Sequence, residues 1–180
     1  SLDKVLRLGS VAEQVSPEDW YSKCIVGMAY FWKEQYDMAQ QKFEQAHTLN
    51  PDYPLVILNL GLVSYARGEY QAAVQHLSRV ITLSASKKEK KWGDGEGEGE
   101  EEDYTSESIF LRGIAYAALG NWQNAVIDFE QAKTTFNISP LITQALNAYA
   151  KGQLYQARQL ATKGYRCYID NLARAYKLLE

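Results

Sequence analysis

Three ten-residue stretches share one pattern: EQYDMAQQKF at 34–43, GEYQAAVQHL at 68–77 and GNWQNAVIDF at 120–129. Each opens on a glycine or an acid, has an aromatic two places on, and keeps an alanine and a large apolar residue at fixed positions. The step from the first copy to the second is short, and the step from the second to the third is half as long again. Internal repetition of this kind means stacked supersecondary units, each unable to bury its apolar face alone. Extending the copies outward gives a unit of about 34 residues, the length of a helix–turn–helix pair. Val26, Gly27 and Tyr30 precede Ala39, Phe43, Ala46 and Pro51 in the first. Leu60, Gly61 and Tyr65 precede Gly68, Tyr70, Ala73 and Leu77 in the second. Gly113 and Tyr116 precede Gly120, Trp122, Ala125, Phe129 and Ala132 in the third.

The residue types fit two helices in close contact. A glycine or alanine lets the first helix approach the second, and the apolar residue four after the alanine lies one turn along the same face. Tyr30, Tyr65 and Tyr116 are expected between the helices. Asn50-Pro51 ends a second helix, because proline disfavours helix in the residue before it. The pattern resembles the tetratricopeptide repeat. That resemblance implies an all-α fold: an array of helix pairs forming a right-handed superhelical solenoid, here with a C-terminal capping helix.

Departures from the pattern mark the ends. Pro17 and Ala12 stand one full unit before Pro51 and Ala46, so residues 1–19 read as part of a preceding unit, weak because Gly9 stands where a large apolar residue belongs. Complete units are expected at 20–53, 54–85 and 106–137. Gly152, Leu154 and Ala157 recur slightly less than one unit after their counterparts, and Ser139-Pro140 suits a helix start. Residues 138–164 therefore read as a degenerate unit. Tyr165, Tyr168, Leu172, Tyr176 and Leu179, at steps of three and four, make 165–180 an amphipathic helix expected to close the open end of the stack. The chain starts at Ser1 instead of Met, as a processed or trimmed fragment would.

The broken period has a compositional cause. The excess of the second step over the first is close in place and length to SASKKEKKWGDGEGEGEEEDYT. Residues 86–105 hold four lysines and eight acids, against a net charge of −3 for the whole chain. This stretch is expected to be a solvated loop inserted between the second and third units.

Tests for chemistry come back empty. The glycine-rich stretch lacks the Gly-Lys-Ser/Thr of a phosphate loop, and its seven acids between Asp94 and Asp103 would repel phosphate. Asp94, Glu96, Glu98 and Gly99 match the first positions of a calcium loop, but Thr105 stands where its terminal glutamate belongs. His47 and His76 have no catalytic or ligating companions, and Asp128 and Glu130 point to different faces of one helix. Cys24 and Cys167 fit neither a disulfide framework nor a metal pair. No enzyme, cofactor or metal is expected. No basic stripe argues for nucleic acid, and no apolar run reaches the length of a membrane span or a signal peptide. A soluble cytoplasmic protein is expected.

What remains is binding. In the resembled family the first helices of the units line a concave groove. The resemblance places Tyr21, Cys24, Ile25, Met28, Phe31 and Trp32 of the first unit there. It adds Leu55, Leu58, Asn59, Leu62, Tyr65 and Ala66 of the second, and Glu107, Phe110, Leu111, Ile114, Ala117 and Ala118 of the third. That surface is apolar almost throughout, which marks an interaction site. The expected function is to hold an apolar helix or peptide of a partner protein, as an adaptor or scaffold subunit of a larger assembly. A cytosolic secretion-type chaperone and a self-associating array with a homo-oligomeric groove are the alternatives. The clamp by which some family members hold chaperone C-terminal carboxylates needs Lys, Asn, Asn, Lys and Arg. Cys24, Met28, Asn59, Glu107 and Leu111 occupy those positions, and only Asn59 matches, so that partner is not expected.

Overall fold

A computed structural model describes residues 1–94, 103–134 and 139–175, giving the backbone alone for 88–94 and 139. Among the described residues the chain is all helix and turn. The elements are α1 (Leu2–Val15), α2 (Trp20–Trp32), α3 (Tyr36–Leu49), α4 (Pro54–Ala66), α5 (Tyr70–Asp94), α6 (Thr105–Ala118), α7 (Trp122–Ala132), α8 (Ser139–Ala150) and α9 (Leu154–Ala175). Each helix packs on the next. The pairs α2–α3, α4–α5, α6–α7 and α8–α9 are joined by short turns, which sets neighbours antiparallel. The helices α2, α4 and α6 form one side of the array.

The repeated glycines perform two separate tasks. Gly27, Gly61 and Gly113, in the middle of α2, α4 and α6, are the points of closest approach within a pair. A Cβ there would lie 2.7 Å from Phe43, 2.8 Å from Leu77 and 2.8 Å from Phe129 respectively. Those three residues, with Ala39, Ala46, Ala125 and Ala132, are buried in the main core. Gly9 takes the same role on α1, where the Val26 side chain enters the space a Cβ would occupy. The glycine in the large-apolar position of this copy is thus a contact point between α1 and α2.

The second task is the turn. Gly68, Gly120 and Gly152 end α4, α6 and α8 at φ of 78°, 78° and 73°, a left-handed conformation that costs other residues about 1–2 kcal/mol. One residue on, the backbone N–H groups of Glu69, Asn121 and Gln153 donate to the carbonyls of Ser64, Tyr116 and Ala148, each at 2.9 Å. This double-bonded helix end satisfies carbonyls that have no partner within the helix. The α2–α3 turn keeps the same geometry, with Gln35 donating to Tyr30 at 2.9 Å. There the left-handed residue is Glu34 at φ 59°.

Two sequence expectations are corrected. Residues 86–94 are not loop: α5 continues through them to Asp94. Lysine, glutamate and alanine are good helix formers, so SASKKEKK continues the helix that precedes it. The acidic stretch 95–102, with Glu96, Glu98 and Gly99, lies outside the described residues. The segments 138–164 and 165–180 are not separate elements either, because α9 runs unbroken from Leu154 to Ala175. The second helix of the last unit and the expected cap are one helix. It packs on α8 and, further along, on α6. Residues 176–180 lie outside the described residues.

Candidate functional site

The first helices of the units are apolar nearly all round, so their outward side needs a cover. In α4 every residue from Val56 to Ser64 is buried. The cover is α9. Its Tyr165 ring lies 4.4 Å from Tyr65, and Tyr168 lies 5.9 Å from Phe110. Arg158 donates to the Ala118 carbonyl at the end of α6. Tyr168, Ala161 and Ala173 are buried, and Leu172 is half-buried against the same core. Burial of the phenols is deep enough to push Tyr65 up to about 12 and to raise Tyr165 further from its ordinary value.

The residues expected to line the groove divide accordingly. Leu58, Leu62, Phe110 and Ile114 are buried and Tyr65 is half-buried, and α9 meets this face at Tyr65 and Phe110. Asn59 is buried too. Its side-chain amide donates to the Cys24 sulfur at 3.4 Å, joining α4 to α2, and burial pushes the Cys24 thiol up to about 11. Phe31 is buried and packs edge-on to Trp32 at 5.4 Å and against Tyr36 at 5.6 Å, towards the α2–α3 turn. On α2 the face opens: Tyr21 is 53% exposed and Ile25 36%. Met28, Trp32 and Leu55 are half-buried. This face is therefore buried at most of these positions in the second and third units and partly exposed in the first.

Between these parts lies a cavity of about 370 Å³. Met28, Leu55, Leu58, Asn59 and Leu62 line one side, Tyr168 and Leu172 of α9 another, and Asp103, Tyr104 and Glu107 the rest. Sequence reasoning missed Tyr168 and Leu172 as lining residues. Their signal was present in the tyrosine–leucine stripe of the C-terminal segment, but the stripe says that a face is buried and not which surface buries it. Asp103 and Tyr104 precede α6 and carried no repeat signal.

The buried charges are structural. Arg112 on α6 grips Asp128 on α7 with two bonds, Nε to Oδ2 at 2.9 Å and Nη2 to Oδ1 at 2.8 Å. Its Nη1 donates to Ser78 of α5 at 3.2 Å. The bidentate pair ties α6 to α7 within the third unit, and the bond to Ser78 joins that unit to the second. It keeps the Arg112 guanidinium above its ordinary value. Among the described residues no three potential ligands gather as a metal site, and no helix is long and apolar enough to cross a membrane.

Fold and site together define a helical repeat module whose apolar face is covered in part by its own last helix. Residues 107–137 match the tetratricopeptide repeat family model. The same helix pair recurs before and after that match, so the chain is an all-α helical repeat array that contains a tetratricopeptide repeat. It is 25% identical over 148 residues to anaphase-promoting complex subunit 6 of Arabidopsis thaliana, a match covering 82% of this chain and 24% of that protein. The chain thus spans about a quarter of its relative. The crystal structure of MamA superposes with a TM-score of 0.67 at 16% identity, over 94% of this chain and 91% of that one. At that identity the likeness is one of fold. Tetratricopeptide arrays are protein-interaction modules, and the chain is a scaffold of that kind.

Proposed function

We propose that the array is a non-catalytic, intracellular adaptor that holds an apolar segment of a partner protein against the open part of its groove, over Tyr21, Ile25, Met28 and Leu55. The observation that carries this reading is the change of exposure along one face. At equivalent positions Ile25 is exposed where Asn59 and Leu111 are buried, and Met28 is half-buried where Leu62 and Ile114 are buried. Large apolar residues left open beside a preformed cavity are what a docking segment needs. A relative that is itself a subunit of a complex supports a place in a larger assembly.

A photo-reactive phenylalanine analogue at position 25 tests the reading, with one at Ile127 of α7 as the control, also an exposed apolar position. In cells of the source, cross-linking to a different protein at position 25 and none at 127 is expected. Equal yields at both positions would refute the groove as the docking face.

One observation favours self-association as a second reading. Leu8, Val11 and Val15 form an exposed apolar stripe on α1, a surface suited to a second copy of the chain. Mass measured across concentration separates the two: a concentration-independent monomer excludes the homo-oligomer.

A further inference from the structure

The apolar face already holds one helix of the chain itself. Its occupant, α9, is an amphipathic helix with Ala161, Tyr165, Tyr168 and Leu172 turned towards the array. Its charged residues are four cations (Arg158, Lys163, Arg166, Arg174) and a single acid, Asp170, and all five are exposed. The cavity beside the end of this helix has an apolar floor, and its two charged lining residues, Asp103 and Glu107, are both acids. At about 370 Å³ the cavity falls in the range of sites that enclose a ligand group, roughly 300–1,000 Å³.

We infer that the partner segment is a basic amphipathic helix. Its large apolar anchor fills the cavity between Met28, Leu62 and Leu172, and its lysines or arginines lie along the acidic edge marked by Asp103 and Glu107. The inference rests on the reading of the groove as the partner-binding face and gives that partner its chemistry. Two features meet here: an apolar cavity and acids on its edge. Complementary charge at a partly exposed edge steers and selects the partner more than it adds affinity. An apolar helix of opposite charge pattern would meet repulsion at the edge while matching the floor equally well.

The two methionines make the test direct, since Met28 lines the cavity and Met38 lies outside it on α3. Two synthetic helical peptides carry the aromatic, aromatic, leucine pattern of Tyr165, Tyr168 and Leu172. They differ only in having lysine or glutamate at the remaining positions. Each is titrated into the full chain carrying 13C-methyl methionine. The lysine peptide is expected to move the Met28 methyl signal and leave Met38 in place, and to bind at least tenfold more tightly than the glutamate peptide. That preference should shrink at least fivefold in high salt. It should shrink similarly in the Asp103→Asn/Glu107→Gln variant. There the amide oxygen introduced at position 103 can still accept the Thr105 N–H, which Asp103 accepts at 3.0 Å in the parent. Equal binding of the two peptides at Met28 overturns the inference and leaves the groove reading standing. If neither peptide moves Met28 the inference falls, and the cross-link at position 25 decides separately whether the groove reading falls with it.

Discussion

Placing a single methyl group at Gly113 should unsettle the third helix pair. The added Cβ of Gly113→Ala would lie 2.8 Å from both Cδ1 and Cε1 of Phe129 and 3.1 Å from the Asp128 Cβ. Neither neighbour has room to give. Phe129 is a fully buried ring, and Asp128 is fixed by its two bonds to Arg112. Overpacking of this kind costs about 1–3 kcal/mol, and a chain of this size loses about 2–4 °C of midpoint per kcal/mol. Alanine is the better helix former by roughly 1 kcal/mol, so the net loss lies in the lower half of that range. At Gly61 the obstacle is Leu77, a flexible side chain at 2.8 Å, and the loss should be smaller. Thermal unfolding followed by far-ultraviolet circular dichroism measures both. Phe129→Leu in the Gly113→Ala background should recover part of the loss, which a double-mutant cycle reads as favourable coupling. A Gly113→Ala variant as stable as the parent would refute the close-packed register of the pair.

Three further outcomes follow from other parts of the structure. Glu34→Gly, which gives the first unit the glycine that its fellows have at the same turn, should stabilise by about 0.5–1 kcal/mol; an unchanged midpoint would contradict the strain assigned to that φ. Arg112→Met leaves Asp128, 2% exposed, without its partner, and should cost towards the lower end of about 3–5 kcal/mol because Arg112 itself is part-exposed. Chemical denaturation would expose the reasoning as wrong if the loss stayed below about 1 kcal/mol. Burial holds the His76 imidazole below its ordinary value, so below about pH 6.5 the unfolded chain takes up a proton that the folded chain resists. Stability should therefore fall as pH drops through that window, and His76→Gln should flatten the profile; an unchanged slope would remove His76 as its source.

The parts of this fold legible in the sequence were those with no chemical substitute. Close backbone approach at Gly27, Gly61 and Gly113 needs the absence of a side chain, and the left-handed turns at Gly68, Gly120 and Gly152 favour glycine. Their spacing therefore printed the helix pairs directly into the chain. The α5 extension was hidden because like charge and nearby glycines argued for loop, while the local helix propensity of SASKKEKK argued the other way and prevailed. The groove was legible as an apolar face and illegible as a site. Tyr165, Tyr168 and Leu172 announce an amphipathic helix whichever surface they meet. Only the fold of α9 back onto the array decides that it meets Tyr65 and Phe110 while Tyr21 and Ile25 remain open.

That division of the groove is tested most directly by comparing the thermal unfolding of Leu58→Glu and Ile25→Glu. Leu58 is 4% exposed, and a carboxylate there forfeits about 1.5–3 kcal/mol of apolar burial and adds the cost of an unpaired charge. Against a typical total of about 5–15 kcal/mol, Leu58→Glu should lower the midpoint by well over about 10 °C or abolish cooperative unfolding. Ile25→Glu, at an exposed position, should unfold within a few degrees of the parent. Two native-like transitions would contradict the account, since Leu58 would then lie on an open face instead of in the core.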